Sequence, residues 1–172
     1  KSFFKKLHNY ASVLKIELSK GKDFVMPDYN VFPDYKTRKE IINELCDRYK
    51  FIKHCFAGKS VCGRGIDVLH IGNTKNRVLY CGGFHGSEYL TILALLKFFE
   101  ECCEAMESDR TVGGCKIGNF LSIRGLTIVP CVNPDGTEIA LHGSDAAFKY
   151  KPLVEKVCTD TYKWQANARG VD

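Results

Sequence analysis

The sequence predicts an α/β fold, and three observations carry that prediction. The first is the stretch 77–106. It has a compact apolar run (Val78-Leu79-Tyr80-Cys81), two glycines, the turn Phe84-His85-Gly86-Ser87-Glu88, then a long apolar segment from Tyr89. That succession, with no Pro or Gly in its second half, reads as a buried strand turning into a packed helix. The second is the run 121–132, whose Leu126, Ile128, Val129 and Val132 read as another central strand, stopped by Asn133-Pro134-Asp135-Gly136. The third is Thr37-Arg38-Lys39-Glu40, a capping box, which opens a helix with Ile41, Ile42, Leu45 and Tyr49 on one stripe.

Taken in order, Phe3, Phe4, Leu7, Tyr10 and Ala11 recur at helical spacing, and Leu14, Ile16 and Leu18 then alternate as a strand would. The basic helix reads either as a surface anchor or as a helix docked on its own domain through its apolar stripe. Residues 21–36 are a connector rich in Pro and Tyr. Residues 51–56 read as a strand. So do residues 66–71, which the 73–76 turn joins to the 77–84 strand, suggesting neighbouring strands of a meander. Residues 107–119 read as a polar, glycine-rich loop, and 142–163 as a polar loop with a weakly helical piece. Gly58-Lys59-Ser60 lacks the earlier glycine and the spacing of a phosphate loop.

Composition sets the outer bounds. A chain of 172 residues with 45% hydrophobic content is sized for one domain with a real core. No apolar run is long enough for a membrane span. The start, Lys1-Ser2-Phe3-Phe4-Lys5-Lys6, has neither a signal-peptide core nor an initiator Met, which suggests a trimmed start. Nine cysteines form no Cys-x-x-Cys pair, and Cys46, Cys55, Cys81, Cys102 and Cys131 fall within apolar runs. They read as small core residues in a reducing compartment, so a cytoplasmic location is expected. The net charge of +5 sits in residues 1–22, which hold six lysines against Glu17, while the remainder is balanced. A nucleic-acid partner is not expected, because its footprint would lie along one face of the folded body.

The chemistry concentrates at one turn. His85 and Glu88, three apart where a strand end meets a helix start, are spaced so that both can reach one metal ion. Alone, the pair reads equally as a helix N-terminus with a favourably placed acid. Three features then occur in order: the His-x-x-Glu, the Pro130–Gly136 run ending in Asn-Pro-Asp-Gly, and Asn167-Ala168-Arg169-Gly170-Val171-Asp172. Together they resemble the zinc carboxypeptidase family of the carboxypeptidase A type, with the bacterial γ-D-glutamyl-diamino acid peptidases the most similar branch. Upstream, Gly58-Lys59-Ser60-Val61-Cys62-Gly63-Arg64 is similar to the Gly-x-Ser-x-x-Gly-Arg of that family.

The resemblance implies a mixed β-sheet flanked by helices in three α/β/α layers, incomplete in this chain. A segment 1–36 would precede a domain half, 37–172. It also implies a Zn2+ cofactor with His85 and Glu88 as two of its three protein ligands, water completing the set. Arg169 would be the catalytic and substrate-binding arginine that polarises the scissile carbonyl. Asp172 would accept the other ring N–H of His85. The implied reaction is hydrolysis of a peptide, γ-D-glutamyl cell-wall peptides being the nearest case, by a metal-bound water attacking the amide carbonyl. A zinc amidase or deacylase on the same fold, and a non-catalytic binding module, remain as alternatives.

Neither the third ligand nor the general-base glutamate of the family has a match here. The sole histidine after Glu88 is His142, which reads as an ordinary exposed histidine. The expectation is therefore the N-terminal half of a catalytic domain, inactive alone and inclined to self-associate through an unpaired sheet edge.

Overall fold

The computed structural model describes residues 27–172. The helix and strand expected within 3–18 lie outside the described residues. The first described helix, α1 (Tyr35–Arg48), begins two residues before the expected capping box, because Asp34 is its cap and accepts from the Thr37 N–H at 2.8 Å. The expected stripe holds: Ile41, Ile42, Leu45 and Tyr49 are all buried.

A four-stranded mixed sheet follows, in the order β1-β2-β6-β3. Its members are β1 (Lys53–Lys59), β2 (Gly65–Ile71), β3 (Arg77–Cys81) and β6 (Gly125–Val129). Strand β2 runs antiparallel to β1 and to β6, whereas β3 and β6 are parallel. Helix α2 (Leu90–Glu107) is the crossover between those two parallel strands. Parallel neighbours need such a connection, which a tight turn cannot supply.

The expected meander is therefore wrong. β6 enters between β2 and β3, and the 72–76 connection bridges over its first residue. Gly125 permits this, since a Cβ there would collide with the Asn73 carbonyl oxygen and lie 2.6 Å from the His70 ring. Its N–H donates to the Asn76 carbonyl at 2.7 Å, and the Asn73 N–H to that of Leu121 at 2.8 Å. β3 thus lies outermost among the described strands rather than centrally, with Leu79 and Tyr80 exposed.

Other segments also differ from expectation. Residues 107–119 hold a short hairpin, β4 (Thr111–Val112) with β5 (Cys115–Lys116), turning through Gly113 and Gly114 at φ 58 and 82. The run 121–132 divides, because Ile117 and Leu121 bury one turn apart in α3 (Ile117–Ile123) and only Gly125–Val129 is strand. The Asn133–Gly136 run opens α4 (Pro134–His142). Asn133 caps this helix, accepting from the Gly136 N–H at 2.9 Å, and Pro134 stands at its first position, where no donor is needed. After α4 come a 3-10 stretch Ser144–Tyr150, α5 (Lys151–Val157) and a 3-10 turn Thr161–Lys163. Of the cysteines expected inside, Cys102 and Cys131 are buried and Cys46 is half-buried. Cys55 and Cys81 are exposed, because they ride the outer strands β1 and β3.

Two apolar clusters hold these elements. In the larger one Ile42 and Leu45 of α1 and Ile92, Leu96 and Phe99 of α2 meet Leu69, Ile71 and Ile128 of the sheet. Full burial of each such side chain contributes about 1.5–3 kcal/mol. The smaller one gathers Ile139, Ala147, Val154, Trp164 and Ala168 and fixes the chain beyond α4.

One buried polar pair lies within the sheet. His70 Nδ1 is 2.8 Å from Thr127 Oγ1, and its Nε2 donates to the Gly72 carbonyl at 3.2 Å. Burial lowers the imidazole pKa below 6.5, and the nearby Arg77 and Lys53 lower it further. The unfolded chain therefore takes up this proton first as pH falls. The stability from neutral His70 is complete above about pH 6.5 and is lost as pH falls from there through the lower folded value. Denaturant titrations between pH 7.5 and 5 are expected to show that decline for the wild type, and a weaker one for His70→Gln. Equal slopes would show that His70 is not the group responsible.

Candidate active site

Strands β1, β6 and β3 all run in one direction, so their C-terminal ends emerge on one edge of the sheet. Ligand clefts of α/β sheets form there. Here the cavity is about 370 Å³, and its walls include Lys59, Ser60, His85, Asn133 and Asp172.

His85 reaches this edge through the double glycine. Past β3 the chain runs against 130–133, with Val132 N–H donating to the Gly82 carbonyl at 3.0 Å and Asn133 N–H to that of Gly83 at 2.9 Å. Gly83 adopts φ 57, and a Cβ on it would press on Ile92 at 2.9 Å. Gly86, between His85 and Ser87, is wedged against the Gly136 and Trp164 carbonyls and donates to the Gln165 carbonyl at 3.0 Å. Asn133 adds bonds from Nδ2 to the Phe84 and Gln165 carbonyls at 3.0 and 3.3 Å. Backbone packing on both flanks thus fixes the turn, leaving little ordering to be done on binding.

In that turn His85 Nδ1 stands 3.0 Å from Glu88 Oε2, and Nε2 stands 3.6 Å from Asp172 Oδ1. The Glu88 hydrogen bond and charge raise the imidazole pKa above the usual histidine value, with a smaller push from Asp172. Donors on a tetrahedral zinc at 2.0–2.1 Å lie about 3.3 Å from one another, so the Nδ1–Oε2 pair is spaced for one metal. A carboxylate behind the far ring nitrogen is the arrangement that fixes a ligand histidine's tautomer. The donors present thus fit two coordination positions. Among the described residues no group of three or more His, Cys, Asp or Glu side chains could hold a metal ion.

The expected site residues are only partly assembled. His85, Glu88 and Asp172 converge. Arg169 does not join them: its guanidinium lies 5.9 Å from the centre of the Tyr150 ring, and the arginine is absent from the cavity walls. His142, half exposed at the end of α4, pairs with Asp34 at 3.1 Å.

The sequence reading missed the network under the cleft. Asp135, 1% exposed, accepts from Ser60 Oγ at 2.8 Å, Cys62 N–H at 2.8 Å and Arg64 Nη1 at 2.7 Å. Arg64 also donates to the Ala146 carbonyl at 3.0 Å and lies 4.9 Å from the Phe148 ring centre. The Gly58–Arg64 motif was the available signal, but nothing local marks Asp135 as its partner.

Comparison with known proteins matches the family model described as zinc carboxypeptidase (Peptidase M14) to residues 38–172. The chain belongs to the zinc carboxypeptidase family. It is 30% identical over 142 residues to gamma-D-glutamyl-L-diamino acid endopeptidase 1 of Lysinibacillus sphaericus, covering 81% of this chain and 36% of that protein. It is also 30% identical over 147 residues to the uncharacterized protein YqgT of Bacillus subtilis, covering 83% and 39%. The chain therefore spans well under half the length of either relative.

Among solved structures, bovine thrombin-activatable fibrinolysis inhibitor, in complex with a tick carboxypeptidase inhibitor, superposes with a TM-score of 0.59 at 18% identity. That match covers 81% of this chain and 38% of the other. Carboxypeptidase A from Helicoverpa armigera gives 0.52 at 18% identity, covering 95% and 36%. At such identity these two establish the carboxypeptidase fold, a mixed sheet flanked by helices, as the sequence predicts.

Proposed function

We propose that this chain carries the first part of the catalytic centre of a zinc-dependent peptidase, with γ-D-glutamyl peptides as the leading substrates. The observation that carries the proposal is the double engagement of His85, Nδ1 toward Glu88 and Nε2 toward Asp172. His85 and Glu88 would hold zinc, which when bound supplies a Lewis acid and an activated water. Asp172 keeps the proton on Nε2, leaving the Nδ1 lone pair free for the metal. Asn133 and the glycines hold the turn rigid. Arg169 stabilises negative charge developing on the carbonyl oxygen once its side chain leaves Tyr150. The remaining ligand and the general base come from outside the described residues. The γ-glutamyl preference draws on the relative from Lysinibacillus sphaericus.

The test is hydrolysis of short peptides, γ-glutamyl ones included, by the full-length protein with and without chelator. Loss of turnover in chelator and its return with zinc are expected. Unchanged turnover in chelator would sink the metal mechanism.

A further inference from the structure

The cavity beside His85 has a second charged wall. Lys59, the last residue of β1, is the one lysine or arginine lining it among the described residues. Arg64 nearby is committed to Asp135 and Glu138, at 2.7 and 3.8 Å. Lys59 is exposed and pairs with no acid among the described residues. It also lines a neighbouring depression of about 360 Å³, together with Tyr35, Phe56, Gly58, Gly63 and Gly65. Added Cβ atoms at Gly58 and Gly63 would meet nothing within 4 Å, so the backbone there is open to whatever lies in the groove. Lys59 borders both hollows, so a ligand that spans the two passes it.

The distance between Lys59 and the reacting end follows from the sheet. β1 and β3 are its outer strands, three spacings apart in the order β1-β2-β6-β3. At about 4.8 Å per spacing, that separates their ends by about 14 Å. An extended peptide advances about 3.4 Å per residue and the lysine arm shortens the gap, which leaves roughly two to four residues. Of the acids lining the cavity among the described residues, Asp172 stands 3.6 Å from His85 Nε2, and Asp135 is bound up by Ser60, Cys62 and Arg64. At the Lys59 end a carboxylate on a bound ligand meets an ammonium that has no acid paired to it among the described residues.

We propose that Lys59 is a specificity-determining residue that receives a carboxylate of an extended acidic substrate, placed roughly two to four residues from the bond attacked beside His85. This rests on the hydrolytic reading of the cleft and narrows its substrate class. The pairing is solvent-exposed, so a preference of about 1.5- to fivefold in kcat/KM is expected, shrinking as salt is added.

The experiment uses the full-length, zinc-loaded protein and peptides identical except for Glu or Gln at the second, third or fourth residue from the scissile amide. The wild type is expected to prefer Glu at one of these positions. Lys59→Gln should bring the Glu/Gln ratio to about one, Lys59→Arg should keep the preference, and Lys59→Glu should invert it. Because the ratio is taken within each protein, a variant that folds less completely still reports. The same peptide pairs are titrated by fluorescence onto the metal-free protein as a readout independent of turnover. Chelator-sensitive cleavage with no Glu preference, or with a preference that survives in Lys59→Gln, overturns the proposal and leaves the hydrolytic reading standing. Binding that follows Lys59, with no peptide cleaved, sinks the hydrolytic reading and supports the acidic subsite.

Discussion

Replacing Asp135 with alanine is expected to lower the unfolding free energy by about 3–5 kcal/mol, the range for removing one partner of a buried ion pair. The carboxylate is 1% exposed and has three donors, from Ser60, Cys62 and Arg64. Deleting it strands the Arg64 guanidinium, whose side chain is only 10% exposed, with Glu138 3.8 Å away as its remaining acid. All three donors belong to the segment between β1 and β2, and Asp135 sits in the first turn of α4, so the loss separates two walls of the cleft. Urea unfolding of Asp135→Ala, Arg64→Ala and the double variant measures the effect. The double variant should lose clearly less than the two single losses combined, because both remove the same pair. A loss below about 1 kcal/mol for Asp135→Ala, or strict additivity, would show that these groups are held independently.

Periodicity exposed the elements with one buried stripe and left hidden those whose partners are distant in sequence. Ile41, Ile42, Leu45 and Tyr49 announced α1 because one side of a helix packs wherever the helix goes. The residues Ile66–Ile71 and Val78–Cys81 announced strands, but not their neighbours. Nothing in those ten residues says that β6, entering half a domain later, separates them. Gly125 decides that order by letting the 72–76 loop pass over it, and an isolated glycine has no such meaning before the loop is seen.

The pairing of His85 with Glu88 was more legible than its surroundings for the same reason. His85, Glu88 and the intervening Gly86 form one local turn, so spacing alone placed Nδ1 and Oε2 together. Asp172 joined them only through family resemblance. Asp135 and Lys59 were missed because their roles arise where the ends of separate strands meet. Arg169 is the reverse case: its motif was read, but the motif does not specify a rotamer, and the guanidinium lies 5.9 Å from the Tyr150 ring centre.

That location makes Arg169 the sharpest test of the proposed chemistry. In the full-length enzyme Arg169→Ala is expected to reduce kcat by about 10²–10³, the scale for removing a donor to a developing oxyanion. KM should change far less, since the charge Arg169 serves appears in the transition state and not in the bound substrate. Stability should shift by no more than about 0.5 kcal/mol, because the side chain is exposed and its ring contact with Tyr150 is peripheral. Arg169→Lys should recover only part of the rate: an ammonium keeps the charge but not the planar fork of donors. Steady-state kinetics beside a denaturant titration separate the two readouts. A full-rate Arg169→Ala enzyme would mean that Arg169 stays on Tyr150 throughout and another donor meets the oxyanion. A variant that loses rate only in proportion to its stability would reduce Arg169 to packing against Tyr150.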